Sequence, residues 1–126
     1  MSGANNPSQR QLRVGEQIRQ AITETLAKGK FRNEILLDYS HYVTVSEVRP
    51  SPDLKYANVY VMTLGGMKFD EVLEALNATS AYISHDIGKK MTQKFTPRLR
   101  FIKDESFEEA SKINGLINEV KYSNEE

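Results

Sequence analysis

Apolar residues recur with two different periods along the chain, and the first stretch has the period of a helix. Four of them stand four positions apart: Val14, Ile18, Ile22 and Leu26. This spacing predicts one amphipathic helix over residues 8–28. Ser8 and Gln11 have the spacing of a capping box at its beginning, and Gly29 favours a left-handed end.

Two later segments alternate at every second residue, as β-strands with one buried face do. The first runs from Tyr42 to Arg49 and the second from Ala57 to Thr63, with a turn at residues 50–54. On one face of the second strand we expect Ala57, Val59 and Val61, and on the other face Tyr56, Asn58, Tyr60 and Met62. The pattern therefore predicts an antiparallel hairpin.

Residues 68–91 return to the helical period. The residues that we expect to face the sheet are Phe69, Leu73, Leu76, Ile83 and Ile87. Three weak helix formers, Asn77, Thr79 and Ser80, interrupt this stretch, and Ser80 places a hydroxyl on the apolar stripe. The apolar stripe stays in phase across these residues, so periodicity permits a single helix over 68–91, while the weak helix formers suggest a break near Ser80.

A third strand follows Pro97, where the residues alternate again: Arg98, Leu99, Arg100 and Phe101. The predicted order is helix, two strands, two helices and a strand, which makes one α+β domain over residues 8–106. We expect residues 1–7 to be a disordered leader. Residues 107–126 are expected to be an acidic tail, with at most a short helix, that the domain does not need for folding.

Length and composition narrow the class of protein. A chain of 126 residues is long enough for one domain with a core. It has no cysteine, which excludes disulfides, thiolate metal sites and cysteine nucleophiles. The first residues lack the apolar core of a signal peptide, and no apolar run is long enough to span a membrane. We therefore expect a soluble cytoplasmic protein.

The sequence offers no support for catalysis. Its two histidines, His41 and His85, belong to no cluster with metal-ligand spacing. Residues 84–86, Ser-His-Asp, look like a catalytic trio, but adjacent residues on a helix point about 100° apart and cannot form a relay. We expect no catalytic residues, no metal and no cofactor, and therefore a protein that is not an enzyme.

The formal net charge is zero, but the charges are unevenly distributed. Residues 1–32 carry six basic against two acidic side chains, and residues 85–103 carry six against one. Residues 104–126 reverse this balance, with seven acidic against two basic side chains. Two basic regions and an acidic tail are typical of an RNA-binding domain, although ordinary solvated faces are the alternative.

With these features in view, the chain resembles the ribosome-binding factor A family. Four stretches carry the resemblance in the family's order: residues 8–18, 43–61, 76–90 and 96–106. The resemblance implies a K-homology-like (KH-like, type II) fold whose usual glycine-rich RNA loop is replaced by a kink at Ala-x-Gly. Here Thr79, Ser80 and Ala81 stand at the kink, so both marked positions differ. We expect the two hydroxyls to bond the local backbone and to cap the second helix.

The resemblance also implies a function. It implies a monomer that binds the free small (30S) ribosomal subunit and its 16S rRNA, near the decoding region and the 5′-terminal helix. Such a factor supports late rRNA processing and growth in the cold, and leaves before translation with the help of assembly GTPases. No membrane is involved.

Three groups of residues are predicted to contact RNA. The cations expected to follow phosphates are Lys89, Lys90, Lys94, Arg98 and Arg100. The residues expected at the kink are Thr79, Ser80, Ala81 and Ser84. A second contact is expected from Arg10, Arg13 and Arg19, for which a solvated helix face is the alternative. Lys89 and Lys90 are expected at the solvated end of their helix.

A protein-interaction module is the competing class of function. It would use the same KH-like scaffold without direct RNA contact, and would bind a protein through the hairpin or the acidic tail. RNA binding that falls steeply with salt favours the first class. Intact partner capture without RNA binding favours the second.

Overall fold

The structure, a computed structural model, describes residues 7–91 and 96–105, which form four α-helices and a three-stranded sheet. The elements in chain order are α1 (Gln9–Lys28), α2 (Glu34–Tyr39), β1 (Val43–Pro50), β2 (Tyr56–Thr63), α3 (Phe69–Ala78), α4 (Ser80–Gly88) and β3 (Arg98–Lys103). The predicted α+β class and element order are confirmed, with α2 as an addition. None of these helices is both long and apolar enough to cross a membrane. Residues 1–6 of the predicted leader, the predicted tail and Lys94 lie outside the described residues.

The first helix has the ends that the sequence predicts. The Gln11 backbone N–H donates to the Ser8 hydroxyl at 3.1 Å, and the Ser8 N–H donates to Gln11 Oε1 at 2.9 Å. These two bonds satisfy amide groups that the first turn leaves without partners. At the other end Gly29 adopts φ 65°, the left-handed conformation that glycine reaches without strain. The apolar stripe from Val14 to Leu26 is buried.

This helix lies unusually close to β1. A Cβ atom at Gly15 would lie 2.5 Å from the Val48 carbonyl oxygen, a distance that side chains do not adopt. One turn earlier, the buried Gln11 side chain donates from Nε2 to the Pro50 carbonyl at 3.0 Å. Since the amide is bonded, its burial carries little penalty. The absence of a side chain at Gly15 thus allows the close approach of α1 to β1, and the Gln11 hydrogen bond holds the helix to the strand.

The sheet has the order β1-β2-β3, with β1 antiparallel and β3 parallel to β2. A β-bulge interrupts the hairpin, since Val45 pairs with Val61 and Glu47 already pairs with Tyr60, which leaves Ser46 without a partner residue. The bulge explains why Val45 and Val48 are both buried although they stand three residues apart.

These four helices contribute to one core on one face of the sheet. The strand residues buried in it are Val45, Val48, Ala57, Val59, Val61, Leu99 and Phe101. The alternate residues of β2 and β3, including Tyr56 and Arg100, are exposed or half-buried on the other face. The predicted faces of β2 and the predicted alternation of β3 are therefore confirmed.

The helical residues predicted to face the sheet belong to this core. Leu76, Ile83 and Ile87 have no exposed surface, while Phe69 and Leu73 are half-buried and pack against the core from its edge. The predicted helical phase is therefore correct across both helices.

The predicted break falls at Thr79, where the backbone departs from helical geometry with φ −104° and ψ 13°. Thr79 Oγ1 donates to the carbonyls of Ala75 at 2.8 Å and of Leu76 at 3.3 Å, both in the last turn of α3. The expected local hydrogen bond of Thr79 is thus confirmed. The expected cap on the second helix is wrong, because α4 begins without any side-chain cap. The threonine hydroxyl bonds the last turn of α3 instead, alongside the Thr79 N–H, which donates to the same Ala75 carbonyl at 3.0 Å.

Asn77 connects this break to the third strand. The Phe101 N–H donates to Asn77 Oδ1 at 2.9 Å, and Asn77 Nδ2 donates to the Phe101 carbonyl at 3.0 Å. One amide side chain therefore bonds both backbone groups of a strand residue, as a neighbouring strand would. It thereby covers the outer edge of β3, which would otherwise expose those groups.

The burial of Leu76 leads to a stability prediction. We expect Leu76→Ala to lower the free energy of unfolding by roughly 2–5 kcal/mol, because it removes apolar contacts and leaves a cavity in the core. Urea denaturation followed by circular dichroism measures this quantity. Leu37→Ala is the matched control, since Leu37 is 48% exposed. A decrease for Leu76→Ala below about 0.5 kcal/mol, or one equal to the control, contradicts the prediction.

Candidate nucleic-acid interface

The two arginines predicted in β3 lie on the face of the sheet opposite the helices. Arg98 and Arg100 are exposed, while Leu99 between them is buried. Among the described residues neither arginine forms an ion pair. In the sheet register Arg100 pairs with Asn58, and Asn58 pairs with Arg49 on the other side. A row of two guanidinium groups with an amide between them therefore crosses all three strands.

Two tyrosines lie among these cations. Tyr56 is 57% exposed and pairs in register with Arg98. The Arg49 guanidinium carbon lies 5.3 Å from the centre of the Tyr60 ring, within cation–π range. We call Arg49, Arg98, Arg100, Tyr56 and Tyr60 the arginine face. The sequence prediction did not include Arg49 or the tyrosines, although period-two alternation already placed both tyrosines on this side of β2.

Glu47 orients the arginine that the prediction missed. It accepts hydrogen bonds from Arg49 Nε at 2.6 Å and from Nη2 at 3.3 Å. The hydrogen bond raises the pKa of Arg49 further above its ordinary value, so the guanidinium stays charged. Since both side chains are more than half exposed, the pair contributes little to stability. Its effect is to hold Arg49 over Tyr60.

The two lysines at the end of α4 have different environments. Lys89 is exposed. The Lys90 side chain is only 23% exposed and lies 3.5 Å from Glu24 Oε1, 3.9 Å from Asp86 Oδ2 and 3.4 Å from Thr25 Oγ1. The helix end is open to solvent at both residues, as expected, but the Lys90 side chain turns back toward α1. It joins α4 to α1, because α1 supplies two of its three partners.

Asp86 is the centre of this network. Thr25 Oγ1 donates to Asp86 Oδ2 at 2.7 Å. That hydrogen bond, helped by the positive charge of Lys90, holds the pKa of Asp86 below its ordinary value. The contacts of Asp86 and Lys90 are those of a brace between two helices.

The kink residues are divided between structural and exposed positions. The Thr79 hydroxyl bonds the end of α3, and Ser84 Oγ donates to the Pro97 carbonyl at 3.1 Å, which ties α4 to the beginning of β3. Ser80 is half-buried and Ala81 is exposed.

The Ser-His-Asp trio of residues 84–86 forms no catalytic relay. Ser84 bonds the Pro97 carbonyl, Asp86 accepts from Thr25, and His85 between them is exposed. The described residues hold no group of three or more side chains that could bind a metal.

The arginines of α1 lie apart from the arginine face and from the kink. Arg10 and Arg13 are exposed on the first turns. Arg19 forms an ion pair with Glu16, and its Nε donates to Glu16 Oε1 at 3.0 Å. The hydrogen bond from Arg19 lowers the pKa of Glu16, so both groups stay charged and largely cancel. The predicted set is thus divided among the open sheet face, the end of α4, the kink and α1.

Comparison of the sequence with known proteins identifies one family. The family model for ribosome-binding factor A matches residues 10–117. A ribosome-binding factor A from Methylobacterium sp. is 45% identical over 115 residues, which are 91% of this chain and 81% of the relative. The family match extends past residue 106, where the resemblance noted in the sequence ends.

Solved structures of the family have the same architecture. The solution structure of a Thermotoga maritima protein, described as a putative ribosome-binding factor A, has a TM-score of 0.62 and 30% identity, and the match covers 79% of this chain and 91% of that one. Coordinates of the Thermus thermophilus factor, a homology model fitted into a cryo-EM map of a 30S complex, have a TM-score of 0.56 and 21% identity, covering 72% and 91%. This chain is a member of a class of ribosome-associated α+β domains. It belongs to the ribosome-binding factor A family.

The brace between α1 and α4 generates a pH prediction. The pKa of Asp86 is lowered by folding, so its stabilising effect is complete above the ordinary carboxyl pKa and is lost as the pH falls through the folded value. We expect Asp86→Asn to lower the free energy of unfolding at pH 7 by up to about 1 kcal/mol. In the Asp86→Asn variant the free energy of unfolding should also fall less steeply than in the wild type as the pH drops below about 4.

Chemical denaturation between pH 2 and pH 7 measures both effects. Asp38→Asn is the control, since Asp38 is exposed on α2. Lys90→Gln should share the destabilisation at pH 7, whereas Lys89→Gln should not. Equal stability of the two lysine variants would show that the brace does not stabilise the fold.

Proposed function

We propose that this protein binds the free small ribosomal subunit and contacts its 16S rRNA through the arginine face. Membership of the ribosome-binding factor A family supports the partner. The Thermus thermophilus factor, whose coordinates were fitted into a map of a 30S complex, supports it as well. The arrangement of Arg49, Arg98 and Arg100 on one exposed face is the observation that carries the proposal.

The chemistry of this face suits RNA. Guanidinium groups bind phosphate oxygens with two parallel hydrogen bonds, and they also stack on bases and aromatic rings. Exposed tyrosine rings next to cations accept unpaired bases with little dependence on sequence. Because Arg98 and Arg100 have no ion-pair partner among the described residues, no internal pair has to break before they bind phosphate.

The family resemblance supplies the details of the proposal, namely the rRNA regions contacted, the step supported and the way the protein leaves. The contact lies near the decoding region and the 5′-terminal helix of the rRNA, and binding supports late rRNA processing and growth at low temperature. The protein acts in the cytoplasm as a monomer, is not an enzyme, and leaves before translation with the help of assembly GTPases. Residues 107–126 modulate binding at most, because their acidic side chains repel phosphates.

Sucrose-gradient sedimentation of tagged protein tests the proposal. We expect co-migration with free small subunits and absence from translating ribosomes. Cells without the protein should accumulate precursor rRNA at low temperature, and the wild-type gene should reverse this. Migration with translating ribosomes, or absence from subunits at low salt, would contradict the proposal.

A protein-interaction module is the second candidate, and an exposed apolar turn favours it. Leu64 is 66% exposed and Met67 is 38% exposed in the segment after β2. Exposed apolar residues of this kind occur at protein-binding sites. Substitution of both by Ser should abolish ribosome association if this turn makes the main contact, and should leave it intact if the arginine face does.

The arginine face makes a quantitative prediction about salt. Affinity for the small subunit should fall as salt rises, and Arg98→Gln with Arg100→Gln should flatten the logarithmic slope by about 0.7 to 1 for each phosphate contact that is removed. Thermal stability should not change, because both side chains are exposed. Fluorescence anisotropy with labelled subunits, at salt concentrations from about 50 to about 300 mM, measures the slope.

The double change Lys112→Gln with Lys121→Gln is the matched control, since it removes the same charge from the acidic tail. It should leave the slope unchanged. An unaltered slope in the β3 variant would disprove the arginine face, and Arg10 and Arg13 would then be the better candidates.

A further inference from the structure

A groove lies at one end of the sheet, where β2 ends and α3 begins. Its volume is about 850 Å³, and its walls include Thr44, Met62, Thr63, Leu64, Phe69 and Asp70. Tyr56 and its register partner Arg98 lie at the other end of the same strand. Since a strand rises about 3.3 Å per residue, the length of β2 puts roughly 23 Å between its two ends. The groove is therefore a site of its own, and a ligand there leaves Arg98 uncovered.

One wall of the groove is apolar and belongs to a strained turn. Leu64 is the most exposed large apolar residue of the described chain, while Met62 and Phe69 beside the turn are half-buried. Lys68, which precedes α3, has φ 52°, a left-handed conformation that a lysine rarely adopts. Such strain persists only where the surrounding structure imposes it, and it is common at binding sites. The turn therefore presents an apolar anchor point to solvent.

The polar part of the groove carries more negative than positive charge. Its charged lining residues are Lys68, Lys103, Asp70, Glu71 and Asp104. The Lys68 ammonium lies 3.5 Å from Glu71 Oε2, and the Lys103 ammonium lies 5.4 Å from the centre of the Phe69 ring. Asp70 is exposed and forms no ion pair among the described residues. A cationic ligand therefore meets a carboxylate that needs no internal pair to break.

A buried hydroxyl at the groove lacks a hydrogen-bond partner. Thr63 lines the groove and is only 6% exposed, and its Oγ1 forms no hydrogen bond within the described part of the chain. Buried polar side chains are almost always bonded, so an unpaired one indicates a place where a ligand can supply the partner. A hydroxyl both donates and accepts, as the backbone groups of a peptide require.

We propose that this groove binds a basic peptide segment with one apolar side chain, supplied by a protein that itself lies on the rRNA of the small subunit. The apolar side chain packs on Leu64 and Met62, and a lysine or arginine of the segment pairs with Asp70. The proposal rests on the proposed function, because the subunit brings this partner to the groove.

Charge identifies the occupant. A protein that binds rRNA carries lysine and arginine to neutralise phosphates, so the protein neighbours that this chain meets on the subunit are basic. RNA itself is disfavoured in the groove, because its phosphates would meet the excess of carboxylates. The groove adds a protein contact to the RNA contact of the arginine face, and association with the subunit does not depend on it alone.

Nuclear magnetic resonance of the full-length, nitrogen-15-labelled protein tests the groove directly. The probe is a short lysine-rich peptide with a central leucine. The comparison probes are the same peptide with serine for the leucine, the same peptide with glutamate for every lysine, and single-stranded oligouridine. We expect the backbone amides of Leu64, Asp70 and Glu71 to shift most with the first peptide. Equal shifts there with the glutamate peptide or with RNA, or shifts confined to residues 107–126, would overturn the proposal.

Substitutions separate the apolar from the charged part of the contact. Leu64→Ser should weaken binding of the leucine-containing peptide roughly 3- to 10-fold, because the peptide then buries less apolar surface. Asp70→Asn with Glu71→Gln should weaken it roughly 2- to 5-fold for each carboxylate at low salt, and less at high salt. The matched control is Glu34→Gln with Asp38→Asn, which removes the same charge from exposed positions of α2 outside the groove. It should leave the affinity unchanged.

Photo-cross-linking identifies the partner on the subunit. The chain has no cysteine, so Leu64→Cys carries a benzophenone label at one position only. With purified small subunits we expect a cross-link to a ribosomal protein, within a segment where lysine and arginine outnumber acidic residues. Leu37→Cys on α2 is the control, since Leu37 is also exposed and does not line the groove. It should not give this cross-link.

The outcomes separate this proposal from the proposed function. A cross-link from position 64 to rRNA or to an acidic segment, or none at all while the protein binds subunits, would overturn the groove contact alone. Wild-type peptide affinity in both groove variants would overturn it as well. Failure of the wild-type protein to bind subunits would overturn the proposed function, and the peptide titration would still decide whether the groove takes a basic segment.

Discussion

The two hydrogen bonds between the Asn77 side chain and the Phe101 backbone join the helical layer of this structure to the outer edge of its sheet. They hold the end of α3 against the outer edge of β3, and so fix the helix break relative to the sheet. With β3 held there, Phe101 enters the core and its neighbour Arg100 must face the other side. One amide side chain therefore links the helical side of the domain to its open sheet face.

The neutral net charge conceals a spatial separation of charge. Some cations are neutralised within the fold, as Arg19 is by Glu16 and Lys90 by its acidic neighbours. Others have no such partner among the described residues, and these lie on several surfaces, with Arg98 on the open sheet face, Arg32 in the connector before α2 and Arg10 on the first turn of α1. Local partners, more than the number of charges in a segment, determine which cations remain available for phosphate.

The sequence predicted the parts of the fold that depend on local periodicity. The first helix and the faces of β2 follow from spacing, and both are confirmed; the break at Thr79 was suggested by helix propensity alone, since the apolar spacing continues across it. The six-residue helix α2 was not predicted because it is too short to show a helical period. The brace formed by Lys90 was not predicted either, because its partner Glu24 lies far away in the sequence. Such long-range contacts leave no signal in the pattern around the residue itself.

The bulge in β1 determines which side chains of that strand meet solvent. If the strand alternated strictly after Val45, Glu47 and Arg49 would face the core and Val48 would face outward. The strand therefore contains one residue more than its pairing requires, and deletion of Ser46 would leave every neighbour on its present face. Deletion of Val48 would instead bury an arginine. A length change of one residue thus keeps the two faces of this strand at Ser46, where it costs the hydrogen bond from the serine hydroxyl to the Tyr60 carbonyl, and reverses them at Val48.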